Sequence, residues 1–317
     1  MEPQRPMNFS RRQFLTAITR PAASAPVLKP ELTPTARFFR HYTHATPHLN
    51  AAHWAFSVGG MVRYPLTWSY SDILARPQVD MPCTLVCASN HAGGDRIGHA
   101  VWRGVPLAAL LDEIEVSAEV GFARLEAAGG GRTVVPFAVL RGGLLATHMN
   151  DAPLPPEQGF PARLIIPGLY EHKQPRWIER VELWDSAGPG GLWEQRGWTA
   201  SEVRTVSAFD APHLLVANQP TVKLSGYAFA GARRIIAVEV SVDGGPWVAV
   251  EAGPSVPNVW TRWQTTWPAP APGDYQLRVR STDEDGMTQP PNAAGPFPDG
   301  SSGPHRITVH VSGAAFA

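Results

Sequence analysis

The chain has 317 residues, 44% of them apolar and 17% charged, and its 27 basic side chains balance 27 acidic ones. Neutral, sparsely charged composition argues against a nucleic-acid partner or an anionic membrane surface, and no run approaches the ~20 uninterrupted apolar residues of a membrane span. The length exceeds what one compact core holds, so two domains are expected; 32 Pro and 29 Gly point to a loop-rich, mostly β architecture with short helices.

Residues 1–30 read as leader and linker. Within them Ser10-Arg11-Arg12-Gln13-Phe14-Leu15 looks like a twin-arginine export signal, which carries folded, cofactor-loaded proteins to the periplasm. The apolar stretch that follows is cut short by Arg20 and Pro21, so a basic leader that is never translocated, leaving a cytoplasmic protein, is the alternative. A first domain is expected over residues 31–208. It opens with Phe38-Phe39-Arg40-His41-Tyr42, followed by a strand-like Trp54–Val58 that ends in Gly59-Gly60. Ser69–Leu74 suits a short helix capped by Ser69, with Asp72 in its first turn. Thr84-Leu85-Val86 is β-prone and delivers Cys87 to a loop marked by Asn90 and Gly93-Gly94-Asp95. Pro106–Ile114 reads as a helix with a Leu107, Leu110, Leu111 and Ile114 stripe.

Farther on, Arg163–Gly168 reads as a buried strand stopped by Pro167. Trp177–Trp184 alternates apolar and charged residues, with an irregularity expected near Arg180. Val206–Pro220 reads as a linker, and a second domain is expected over residues 209–317. There Ile236, Val238, Val240 and Val242 alternate up to the turn signal Asp243-Gly244-Gly245. Tyr275, Leu277 and Val279, then Ile307, Val309 and Val311, continue the pattern. Short strands at this spacing without helices indicate a sandwich of about seven strands.

The two cysteines are Cys83 and Cys87. On one strand they would lie about 13 Å apart at ~3.3 Å per residue, too far for a disulfide. Cys83 reads as a small buried hydrophobe. Cys87, at a strand-to-loop transition, is placed to ligate a soft metal.

The segment around Cys87, with Trp102-Arg103-Gly104-Val105-Pro106-Leu107 downstream, resembles the cysteine segment of the sulfite oxidase family of molybdopterin-dependent oxidoreductases. The stretch Gln158-Gly159-Phe160-Pro161-Ala162-Arg163, followed by Lys173-Gln174-Pro175-Arg176-Trp177, resembles that family's pterin-binding His-Gly-Phe-Pro-x-Arg and Lys-Trp pair. Here Gln158 and Arg176 replace the histidine and the lysine. Phe39-Arg40-His41-Tyr42 resembles the segment that wraps the pterin and aims an arginine at substrate. The second domain, through Leu224–Ala228, Val240–Gly245 and Val259–Trp263, is similar to the family's immunoglobulin-like dimerisation domain.

The resemblance implies an α+β chain: a mixed α+β molybdopterin domain followed by an all-β immunoglobulin-like sandwich that forms a homodimer. It implies a molybdenum–molybdopterin cofactor, with Cys87 on the metal. Phe39, Arg40, His41, Tyr42, Gln158, Arg163, Lys173, Gln174 and Arg176 would hold the pterin and its anionic tail. Arg40 would orient the small-molecule substrate, with His91 and Trp198 lining its pocket. Electrons would leave singly to a cytochrome, since no heme-binding Cys-x-x-Cys-His occurs in this sequence.

The chain also departs from the family. Its two arginines after the cysteine loop become His91 and Ala92, and Pro296–Gly300 has no arginine. Its active-site tyrosine becomes Trp198, which donates a hydrogen bond but cannot ionise or accept one. Fewer cations weaken the hold on a dianion, so sulfite is doubtful and an uncharged or singly charged substrate is expected. The alternatives are a reductase of sulfoxide-like molecules or a non-catalytic binding module.

Overall fold

The computed structural model describes residues 31–41, 45–211 and 213–316; the twin-arginine segment and Tyr42 lie outside them. The described chain is mostly β, and its four α-helices have at most five residues. None is long and apolar enough to cross a membrane.

The first half contributes ten strands: β1 (Ala55–Gly60), β2 (Leu66–Ser69), β3 (Val79–Val86), β4 (Ile97–Pro106), β5 (Phe122–Ala127), β6 (Arg132–Pro136), β7 (Leu144–Met149), β8 (Ala152–Pro153), β9 (Arg163–Ile165) and β10 (Ile178–Trp184). They form two sheets. One runs β2-β1-β10-β5-β6, the other β3-β4-β7-β8 with β9 also on β7. Between them, Phe56, Leu125, Leu145, Leu164 and Val181 join one core. The outer face of the second sheet carries Phe38, Phe39, Cys83, Leu85 and Trp102.

Local signals explain the elements. The short helix α1 (Tyr70–Leu74) has a complete capping box: the Ser69 hydroxyl accepts from the Asp72 N–H, and the Asp72 carboxylate accepts from the Ser69 N–H. The helix expected over Pro106–Ile114 is shorter. It is α2 (Leu107–Leu111), because the Ile114 N–H bonds the Leu111 carbonyl at 3.2 Å and tightens the chain into a turn that still buries Ile114. The expected Arg163–Gly168 strand ends at Ile165: the Ile166 N–H is taken by the Gln174 side-chain oxygen at 2.8 Å, which removes it from the ladder. A register shift separates Ile178 from Arg180 in β10, as the broken alternation there predicted. Two further helices, α3 (Phe137–Arg141) and α4 (Leu192–Gln195), complete the set.

The second half contributes β11 (Val206–Phe209), β12 (Leu214–Ala217), β13 (Thr221–Phe229), β14 (Ile235–Val242), β15 (Val248–Ala249), β16 (Glu251–Ala252), β17 (Thr261–Pro268), β18 (Gly273–Asp283) and β19 (His305–Val311). Their sheets run β11-β13-β17-β16 and β12-β19-β18-β14-β15. Val222, Trp263, Val240, Leu277 and Ile307 from both sheets share one core. The expected linker Val206–Pro220 is therefore largely strand. Its β12 is an edge strand parallel to β19 whose outward residues Leu214 and Val216 are as apolar as its inward Leu215 and Ala217, so its sequence carries no apolar–polar alternation to read. In β14 a register shift after Ile235 turns Ile236 outward, while Ile235, Val238 and Val240 stay buried.

The halves meet beside the cysteine. The Thr84 N–H bonds the Asn258 carbonyl at 2.8 Å, and the Thr84 hydroxyl accepts from the Trp260 N–H at 3.0 Å. Gly93, at φ +75°, lies so close to the His305 ring that a Cβ there would fall 2.1 Å from Nε2. The second half thus braces both the strand that delivers Cys87 and the loop that follows it.

Two histidines at this junction are buried neutral. Burial pulls His99 and His305 from the ordinary 6.5 to about 4, and His305 Nδ1 accepts the Phe209 N–H at 3.1 Å, which a protonated ring cannot do. The unfolded chain therefore binds more protons than the folded one between pH 6.5 and about 4, and stability falls as pH drops through that window. Thermal melts should show a Tm roughly level above pH 6.5 and declining toward pH 4, and His305→Gln should remove part of that slope. A Tm that rises on acidification would contradict the assignment.

Candidate active site

A cleft enclosing about 880 Å³, part of it open to solvent, is lined by Cys87 and Ser89, Glu171 and His172, Arg176, and Trp193 and Trp198. The glycine turn between β5 and β6 adds Ala127, Ala128 and Gly131, so this wall is built of small side chains.

β3 ends at Val86, and the Cys87 N–H bonds the Arg96 carbonyl at 2.9 Å. The loop between them is folded by Asn90, whose side-chain oxygen accepts the Arg96 N–H at 2.8 Å. This return brings the Arg96 guanidinium to 2.7 Å from the Ser89 hydroxyl, which lies 3.1 Å from the Cys87 sulfur. Burial first, and Glu171 second, push the Cys87 thiol above its ordinary value, while Ser89 and Arg96 pull the other way. Cys83 is fully buried, with a thiol pushed up to about 12.

Behind the cleft floor, Glu171 joins two buried guanidinium groups. Its carboxylate lies 3.0 Å from Arg176 and 3.4 Å from Arg163, and these side chains are 7%, 4% and 0% exposed respectively. Arg163 also donates to the Gln158 carbonyl and side-chain oxygen and to the Gln174 carbonyl, each at 3.3 Å. Burial and the adjacent Arg176 pull its guanidinium down to about 9, still charged at neutral pH. Gly159 makes this packing possible: at φ +112°, a Cβ there would meet the Arg163 and Arg176 Cβ atoms at 3.0 and 3.1 Å. Two cations on one carboxylate leave a buried excess of positive charge, which an anion in the cleft would balance.

His172 stands on the same wall, stacked on Tyr170 at 6.4 Å and edge-on to Trp193 at 6.4 Å. Its ring lies beside the Ala200 backbone, yet neither buried ring nitrogen makes a hydrogen bond of normal geometry. Burial, then Lys173, pulls it to about 4, so it is neutral. Trp193 packs edge-on to Trp198 at 6.1 Å, and Trp198 edge-on to the exposed Phe297 of the second half at 5.4 Å.

Of the residues expected at the site, Cys87, His41, Gln174, Arg176 and Trp198 line this cleft. Gln174 works with both ends of its amide, accepting from the Ile166 N–H and donating to the Leu169 carbonyl at 2.7 Å, so it shapes the turn that presents His172. Phe39, Gln158, Arg163 and Lys173 are buried behind the wall. Phe39 stacks on Phe38 at 5.3 Å, and its carbonyl accepts from Gln158 at 3.2 Å. Lys173 pairs with Glu194 and donates to the Val134 carbonyl at 3.2 Å, which spends its charge inside the protein.

Arg40 and His91 point to solvent and do not line the cleft. Extended chain sends neighbours to opposite sides, so Phe39 and His41 turn inward and Arg40 outward. His91 sits in a tight turn closed by the Gly94 N–H on its carbonyl at 2.9 Å. Arg96, Glu171, His172 and Trp193 were not singled out from the sequence. The signals for Glu171 and His172 were an acid and an imidazole inside a stretch otherwise read as cationic.

Residues 43–193 match the family model described as an oxidoreductase molybdopterin binding domain, and residues 201–295 that of a Mo-co oxidoreductase dimerisation domain. Chicken (Gallus gallus) sulfite oxidase is 26% identical over 83% of this chain and 69% of its own length. The uncharacterized oxidoreductase YuiH of Bacillus subtilis is 31% identical over 46% of this chain and 72% of its own. Soybean (Glycine max) inducible nitrate reductase is 26% identical over 82% of this chain, which spans 37% of that protein. Among solved structures, the sulfane dehydrogenase SoxCD from Paracoccus pantotrophus shares the fold, with a TM-score of 0.75 over 90% of this chain and 84% of that one at 22% identity.

These features define a molybdopterin-dependent oxidoreductase with a molybdenum cofactor. The chain belongs to the sulfite oxidase family. The residues present fit the cofactor: a thiol opens on the cleft, buried positive charge lies behind its wall, and an imidazole without a well-formed hydrogen bond faces it.

Glu171→Gln should strand two buried guanidiniums and cost about 3–5 kcal/mol of stability, read by chemical denaturation. A loss under ~1 kcal/mol, the value of an exposed pair, would show that the cluster is not the keystone described.

Proposed function

We propose that the chain exchanges one oxygen atom with a small-molecule substrate in a two-electron reaction, at a molybdenum held by Cys87 and the pterin dithiolene, and that a cytochrome takes the electrons one at a time. The observation that carries this reading is that Cys87 opens on the same cleft as Arg176, backed by the excess charge of the Arg163–Glu171–Arg176 cluster. When bound, the cofactor supplies the two-electron oxygen-atom chemistry.

The chain's residues would divide the remaining work. Cys87 would hold the metal as a thiolate, a form that burial of the free thiol opposes. Arg176 would meet the anionic tail directly, and Arg163, one layer deeper, would hold Glu171 and the Gln158–Gln174 backbone in place. His41, kept neutral by burial and by Arg96, would offer the pterin edge a hydrogen bond without adding charge. Trp198 stands at the substrate end and cannot share a proton. We read the second half as an immunoglobulin-like dimerisation domain of a homodimer, and Ser10–Leu15 as a twin-arginine signal. The name of the matched dimerisation family supports the first of these.

Elemental analysis of the purified holoprotein should find about one molybdenum per chain, and Cys87→Ser should lower it at least about tenfold, since metal sites lose 10–100-fold even from lesser changes. A molybdenum-free wild type, or a Cys87→Ser protein that keeps its metal, would end this reading. Replacing Arg11 and Arg12 with Lys should hold the protein in the cytoplasm on cell fractionation, and unchanged export would refute the signal.

A further inference from the structure

The loop after Cys87 carries a cation that its own fold does not require. The backbone and Asn90 already close that loop. The Cys87 N–H bonds the Arg96 carbonyl at 2.9 Å, the Asn90 N–H bonds the Cys87 carbonyl at 2.9 Å, and the Asn90 side-chain oxygen accepts the Arg96 N–H at 2.8 Å. Gly94 leaves room for the last of these, since a Cβ there would lie 2.6 Å from the Asn90 oxygen. The Arg96 side chain adds one hydrogen bond, to the Ser89 hydroxyl at 2.7 Å, and among the described residues no ion pair joins it to a carboxylate.

A guanidinium has only N–H groups to offer, so Ser89 Oγ is the acceptor in that contact. The Ser89 proton can then turn to the Cys87 sulfur, 3.1 Å away. Once a metal has displaced the thiol proton, the sulfur can only accept, and the direction is set: Arg96 donates to Ser89, and Ser89 donates to sulfur. The charge-assisted first link polarises the second.

We propose that Ser89 and Arg96 form a donor chain that holds and tunes the metal-bound sulfur, with Ser89 as its hydrogen-bond donor and Arg96 as a positioning residue that acts through Ser89. The inference rests on the placing of Cys87 on molybdenum proposed above and adds what sets the electronic character of that ligand. A hydrogen bond onto a ligating thiolate draws electron density from the metal, which favours the reduced state and raises the reduction potential.

The test isolates the hydroxyl with two side chains of one shape: Ser89→Thr keeps the donor, and Ser89→Val puts a methyl group in its place. Holoenzyme of each variant is measured for molybdenum content, for molybdenum midpoint potentials by redox titration under electron paramagnetic resonance, and for the energy of the sulfur-to-metal charge-transfer band. Ser89→Val should move the one-electron equilibrium about tenfold toward the oxidised metal, the value of one hydrogen bond to a charged group, or ~59 mV lower in potential. Its band should move to lower energy, while Ser89→Thr should stay close to the wild type. Arg96→Met should lower the potential too, and Arg96→Lys should recover part of the loss. Because the two residues act in series, Arg96→Met should have less than half its effect once Ser89 is replaced by Val. Loss of molybdenum in Ser89→Val but not in Ser89→Thr would also support the donor chain. An unshifted potential and band in molybdenum-replete Ser89→Val, equal metal loss in the Thr and Val variants, or fully additive shifts would overturn it. A wild type without molybdenum would refute the function proposed above as well, whereas a replete wild type with unshifted variants refutes the donor chain alone.

Discussion

One buried carboxylate organises the catalytic half. Among the described residues, Glu171 is the acid paired with both Arg163 and Arg176, which are themselves removed from water, so its charge decides whether that interior is tolerable. Around it the backbone of Gln158 and the amide of Gln174 complete the local hydrogen bonds, and Gly159 supplies the space. The surplus charge makes the cleft receptive to an anion before any is bound. Stability and the charge behind the cleft therefore draw on the same three side chains.

A second constraint comes from the other domain. The strand ending at Cys87 is held by Asn258 and Trp260, and the loop after it by His305. A thiol on a free loop would wander by more than a coordination bond allows, whereas one fixed at both flanks is preorganised. The cysteine's position is thus a property of the whole chain.

Much of this was legible in the sequence. Strand β3, the α1 cap and the irregularity in β10 follow from local chemistry, and their signals lie within a few residues. Cys87 and Arg176 were found because a resemblance supplied their neighbours. What escaped depends on contacts across the fold. Arg96 reaches the cysteine only because Asn90 folds the loop back. Arg163 and Lys173 carry charge in any sequence reading, but only the structure shows that Lys173 is paired with Glu194 and that Arg163 shares Glu171 with Arg176. Strand β12 was read as linker because its outward positions Leu214 and Val216 are apolar, which hides the alternation of its burial.

The contact of Trp198 with Phe297, and of Gly93 with His305, has an evolutionary corollary. The C-terminal half packs against the aromatic wall and the loop that flank the cleft, so recombination that swaps it between relatives would have to preserve those contacts. Drift in residues roughly two hundred positions from the thiol can then disturb the loop and the wall on either side of it.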